Sequence, residues 1–262
     1  MYGLIPPPIY QTSILNHPVP TVFLTSSATL LVLLVFFLWE ARRKKLSWSN
    51  SLVIFLLAYS LAELLGKIFH QLAQTFLHGI NFDFSSLMEQ PNQLGKVSLT
   101  ILIANIIAVT IGSWAGHETK NIGKYLDTIF FAYVPGMMVT RFGSALTRYH
   151  SGKLIESPLW RELSGVERHE PSFYEFLSLS VLFLVILRLR KNPIPPGGLA
   201  LFVLAWVSFS RVVTDFFRSS DMANSNYHLA NGYTMNQVGY FLIFVTAVYL
   251  ILKNRSATKL PT

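Results

Sequence analysis

From Gly197 to Ser210 the chain is apolar or small at every position, and it then sets Arg211, Asp215 and Arg218 at spacings of i, i+4 and i+7. A helix built from that stretch is long enough to cross a bilayer, and the spacing gathers all three charges on one face. An ionisable group at bilayer depth is costly unless it is paired or wetted, so that face marks a candidate functional site. The bilayer is the right solvent for the rest of the chain too. Of its 262 residues 52% are hydrophobic and only 13% charged, about half the charged fraction of a soluble domain. Cysteine is absent, which excludes disulfides, thiolate metal sites and a cysteine nucleophile in the chain itself.

Apolar runs at about 19–39, 51–74, 97–114, 125–146, 172–187, 198–218 and 237–252 predict an all-α protein with seven transmembrane helices. The stretch 1–8 lacks a basic leader and a cleavage site and is expected to be a short extramembrane arm. The hydrophilic stretch 147–171 between the fourth and fifth spans is long enough for a small folded head, and 1–262 is expected to form one transmembrane domain carrying it. Lys and Arg fix the orientation. Arg42, Arg43, Lys44, Lys45, Lys120, Lys124, Arg188, Arg190, Lys191, Lys253, Arg255 and Lys259 follow the odd-numbered spans. Only Lys96, Arg148, Lys153, Arg161, Arg168 and Arg218 lie on the other side. The richer side belongs in the cytoplasm, which places the N-terminus and the head outside and the C-terminus inside. The run Arg42 to Lys45 is then a topological anchor, and no nucleic-acid partner is expected.

Three cations remain inside spans: Lys67, Arg141 and Arg211. Each lies 13 to 16 residues from the cytoplasmic start of its helix, roughly 20 to 24 Å along, in the outer half of the bilayer. Glu175, Asp215, Arg218 and Gln237 fall at the same level. Two arrangements satisfy such a set. The cations surround an anion, for which a phospholipid phosphate at that depth matches the guanidinium fork; or Arg211 pairs with Asp215 and Glu175 as internal glue while Arg141 snorkels outward. Glu63 and Lys67, at i and i+4, can neutralise each other. An ion path across the bilayer fits less well, because the charges cluster at one level.

Several stretches resemble the bacterial phosphatidylglycerol–prolipoprotein diacylglyceryl transferase family. Arg211-Val212-Val213-Thr214-Asp215-Phe216-Phe217-Arg218-Ser219-Ser220-Asp221 is similar to its Arg-x-x-x-Glu-x-x-Arg-x-x-Asp segment, and Gly232-Tyr233-Thr234-Met235-Asn236-Gln237 to its Gly-x-[Ser/Thr]-x-x-Gln entry to the last helix. Arg168-His169-Glu170-Pro171-Ser172-Phe173-Tyr174-Glu175 resembles Arg-His-Pro-[Ser/Thr]-x-x-Tyr-Glu. Thr140-Arg141-Phe142-Gly143 falls where a Gly-Arg-x-Gly-Asn signature begins, with Ser144 at the Asn and Gly152 retained. The resemblance implies transfer of a diacylglyceryl group from phosphatidylglycerol to the cysteine of a prolipoprotein signal peptide, in the bacterial cytoplasmic membrane and without cofactor or metal. The alternative is a diverged paralogue that binds an anionic phospholipid or serves another acceptor. If the family chemistry holds, Arg141, Arg211, Asp215 and Glu175 are expected to carry it, and Lys67, Gly143, Ser144, Gly152, Tyr174, Arg218 and Gln237 to hold the substrate. The family's usual His-Gly-Gly ahead of the third span has no counterpart in 94–100. That leaves Tyr149, His150, His169 and Tyr174 as candidate proton acceptors.

Overall fold

The computed structural model describes residues 9–14, 17–78, 98–148, 152–191, 194–219 and 234–257. Among the described residues eight α-helices carry the fold: α1 (Thr21–Arg43), α2 (Trp48–His78), α3 (Ser98–Ala115), α4 (Ile122–Thr147), α5 (Pro158–Ser164), α6 (Pro171–Leu189), α7 (Gly198–Asp215) and α8 (Met235–Ala257). Six of them are long and apolar enough to cross a membrane, and α3 contains a shorter apolar helix, Thr100–Ala115. The chain is a polytopic helical membrane protein. The expected all-α class needs one amendment, because β1 (Gln11–Ile14) and β2 (His17–Pro20) form an antiparallel hairpin before α1. Helix α1 accordingly starts at Thr21 rather than at residue 19: Pro18 and Pro20 lack the N–H groups a helix interior needs, and Pro20 serves as its N-cap.

Helix α4 is the hub. Phe130, Phe131 and Val134 are wholly buried, and α1, α3, α6 and α7 all pack on it. Small residues set its contact with α1. A Cβ on Gly136 would lie 2.4 Å from Leu33 Cγ and one on Gly143 2.5 Å from Thr25 Cβ, while the hydroxyls of Thr29 and Thr140 meet at 2.9 Å. Glycines seven residues apart thus let two backbones approach closely. Pro135 lies inside the helix without ending it. Helices α2 and α3 pair with each other, as do α7 and α8, and α6 packs against both α4 and α7.

The two ends of the bundle differ. At one end, Glu40 is fully buried and receives both Arg43 (2.8 and 2.9 Å) and Arg190, whose guanidinium lies over the rings of Trp39 and Phe131. Lys44 Nζ sits 3.6 Å from Asp127, and the Asp127 carboxylate accepts the N–H groups of Gly197 (3.0 Å) and Ala200 (2.9 Å). An aspartate on α4 therefore caps the start of α7. The head lies at the other end. Residues 152–155 exchange backbone hydrogen bonds with 167–169, and Lys153 N–H donates to the Phe217 carbonyl at 2.9 Å, tying the head to the end of α7. Helix α5 begins at a Ser157 cap and stops at Gly165, whose φ is +70°, over a small core of Ile155 and Val166 with Trp160 and Phe173. Residues 152–170 thus fold into a small unit held against the end of α7.

Candidate active site

The last turns of α4 supply Arg141, the start of α6 supplies Tyr174 and Glu175, and the end of α7 supplies Arg211 and Asp215, with Arg218 just beyond. Their side chains converge on Glu175. Its Oε2 takes Arg141 Nε at 2.7 Å, and its Oε1 takes Arg211 Nη1, Arg218 Nη2 at 2.8 Å and the Thr214 hydroxyl at 3.4 Å. Asp215 Oδ1 accepts Arg218 Nε at 2.7 Å, and its Oδ2 faces the Thr234 hydroxyl at 3.2 Å. All five charged residues are at most 6% exposed. Among the described residues, three guanidiniums against two carboxylates leave one buried positive charge in excess. Arg211 Nε, 3.9 Å from Asp215, donates no hydrogen bond among the described residues. A buried group of this kind calls for a further acceptor. Arg141 does not snorkel; it is 4% exposed and paired.

Two cavities meet this cluster. A small one of about 20 Å³ lies between Arg141, Glu175, Arg211, Tyr133 and Tyr240, with room for one water. A large cleft of about 1100 Å³ runs beside it, walled by Phe202, Trp206, Phe209 and Val213 on α7, Phe244 on α8 and residues 153–157 of the head. That volume exceeds most small-molecule pockets and suits long apolar chains. Ser210 lines both cavities, and Thr214 joins the cleft wall to Glu175. His169 and Tyr174 also line the cleft, with His169 Nδ1 3.0 Å from the phenol oxygen. Burial holds the His169 imidazole below its ordinary 6.5, and the Lys153 ammonium adds to the effect. Its neighbour Glu170 is 2% exposed; burial pushes its carboxyl up to about 7, against the pull of Arg148 at 3.9 Å.

The expected site residues divide. Arg141, Glu175, Arg211, Asp215 and Arg218 come together, and Tyr174 faces the adjoining cleft. Lys67 is not brought to the cluster: it pairs with Glu63 at 3.5 Å on α2, whose partners are α1 and α3. Gly143 contacts Thr25, and the Ser144 carbonyl accepts the Thr147 hydroxyl at 3.2 Å. Gly152 is a close backbone crossing, where a Cβ would meet the Phe217 carbonyl at 2.2 Å. Gln237 caps α8: its Oε1 accepts Thr234 N–H at 2.9 Å while the Thr234 oxygen accepts Gln237 N–H at 3.0 Å. This is the reciprocal Thr-x-x-Gln box, and the spacing is visible in the sequence. Thr214, Thr234, Ser210 and Tyr240 were not anticipated; only Thr234 carried a readable signal. Tyr149 and His150 lie outside the described residues.

Fold and site together define a polytopic membrane protein with a buried, positively charged polar centre beside an apolar cleft. The family model of prolipoprotein diacylglyceryl transferase matches residues 101–253, more than half of the chain. The chain belongs to the prolipoprotein diacylglyceryl transferase family, a family of transferases that includes every residue of the cluster within the matched range. No curated protein matches the chain.

Proposed function

We propose that this protein moves the diacylglyceryl group of phosphatidylglycerol to the cysteine thiol of a prolipoprotein signal peptide, releasing glycerol phosphate. It would do so as a seven-span protein of the bacterial cytoplasmic membrane, with its head and N-terminus outside. One observation carries the reading: a buried guanidinium cluster, with an excess positive charge among the described residues, adjoins an apolar cleft of about 1100 Å³. The cleft suits the acyl chains, and the cluster suits the phosphate. As the C–O bond to phosphate breaks, negative charge grows on the leaving group, and guanidiniums held in place beforehand stabilise it without reorganising. Glu175 keeps the three side chains convergent in the meantime.

A second reading, phospholipid binding without transfer, is supported by the way Glu175 already occupies donors of Arg141, Arg211 and Arg218. One experiment separates the two. The purified protein is reconstituted in phosphatidylglycerol nanodiscs with a synthetic single-cysteine signal peptide, and product is followed by mass spectrometry. The transferase reading expects the peptide to gain one diacylglyceryl unit with release of glycerol phosphate, and phosphatidylcholine discs to give none. A rise in melting temperature with phosphatidylglycerol but no product selects the binding reading, and neither effect overturns both.

A further inference from the structure

The proposed transfer needs a group to take the thiol proton, and the cluster cannot supply one: its guanidiniums stay protonated and its two carboxylates are engaged in ion pairs. Resting on that transferase reading, we propose that His169 is the proton acceptor for the acceptor thiol, with Tyr174 as the residue that positions it. Three observations converge on the pair. Both side chains line the apolar cleft, on the side where the head closes over it. The imidazole is held from two directions, by the Tyr174 phenol on Nδ1 at 3.0 Å and by the Phe217 ring at 4.9 Å between centroids. Tyr174 is the residue before Glu175, so the pair and the guanidinium centre meet at the start of α6.

The proposed role requires the tautomer in which Nδ1–H donates to the Tyr174 oxygen, which leaves the lone pair on Nε2. The thiol proton passes to Nε2, giving an imidazolium. The thiolate forms the S–C bond to the glycerol carbon as the C–O bond to phosphate breaks, and the electron pair leaves on glycerol phosphate beside the arginines. The imidazolium then returns its proton to that phosphate or to water. Partial burial and Lys153 both favour the neutral ring, which is the form a base must have.

The test uses the full chain in phosphatidylglycerol nanodiscs with two acceptor peptides, one bearing cysteine and one bearing selenocysteine, whose selenol is already ionised at neutral pH. His169→Gln is expected to lower kcat for the thiol about 10²–10⁴-fold, the usual contribution of a general base. The same variant should transfer to the selenol at close to the wild-type rate and keep the wild-type stabilisation by phosphatidylglycerol. Tyr174→Phe should give a smaller loss with the pH profile retained, whereas His169→Gln should lose the fall in rate towards acid pH. If His169→Gln transfers to the thiol within twofold of wild type, or loses thiol and selenol transfer alike, the assignment to His169 is wrong while the transferase reading stands. A wild-type protein that transfers to neither peptide removes the transferase reading and this inference with it.

Discussion

Glu175 is the carboxylate on which Arg141, Arg211 and Arg218 all depend, and the charge count ranks their substitutions. Glu175→Gln leaves three buried guanidiniums with one carboxylate, so a loss of about 3 to 5 kcal/mol is expected, as when a buried pair loses one partner. Arg141→Gln instead leaves two cations and two anions, and thermal unfolding in detergent should show it markedly more stable than Glu175→Gln. Its cost should appear in ligand response. Phosphatidylglycerol at about 100 times its dissociation constant stabilises a binding protein by roughly 2.7 kcal/mol, and Arg141→Gln should lose most of that gain. Equal gains in wild type and variant would remove Arg141 from the lipid site. Glu170 gives a separate test in the head. Its folded value of about 7 exceeds its ordinary 4.5, so the folded state holds the proton more tightly. The contribution of Glu170 to stability is therefore fullest below about 4.5, declines as the pH rises to 7 and levels off beyond. Glu170→Gln should flatten that decline and raise the melting temperature at pH 8, with no effect at pH 4.

Helix α7 presents Arg211 and Asp215 correctly because it is fixed at both ends. Asp127 holds its first turn through Gly197 and Ala200, and its last turn is tied through Asp215 to Thr234 and through Phe217 to the head. Asp127→Ala should cost about 0.5 to 2 kcal/mol, the usual worth of an N-cap, read as a drop in melting temperature. Gly152→Ala places a methyl against a backbone carbonyl that cannot swing aside, so the head should detach from α7 and become sensitive to limited proteolysis between 152 and 170. These ties explain which parts of the site were legible beforehand. Arg211, Asp215 and Arg218 share one helix, and helical spacing reveals that directly. Arg141 and Glu175 could be placed at the right depth by counting residues from their helix starts. Depth alone also admitted Lys67, because it fixes height in the bilayer and says nothing of which helix neighbours which. The capping of α7 by Asp127, 70 residues earlier, and the approach of Gly152 to Phe217 are tertiary contacts that no local pattern encodes.

Charge is distributed between the ends of the bundle in a way that makes orientation consequential. The end with Arg43, Lys44 and Arg190 also carries Arg42, Lys45, Arg188 and Lys191, and a bias of this kind near span ends supports the proposed cytoplasmic placement of that end. The guanidinium centre lies at the opposite end, under the head, which in the proposed orientation is the outer half of the bilayer. Under the proposed function it would there meet outer-leaflet phospholipid and an acceptor peptide delivered across the membrane; turned over, the same centre would face the inner leaflet and its acceptor would be out of reach. Reporter fusions decide the matter. A fusion after Lys45 or after Lys191 should report cytoplasm, and one within 152–164 should report the outside. A head found inside would leave the guanidinium cluster intact as a structural unit but would overturn its assignment to transfer at the outer surface, since the excess charge would then sit on the wrong side of the membrane for a secreted thiol.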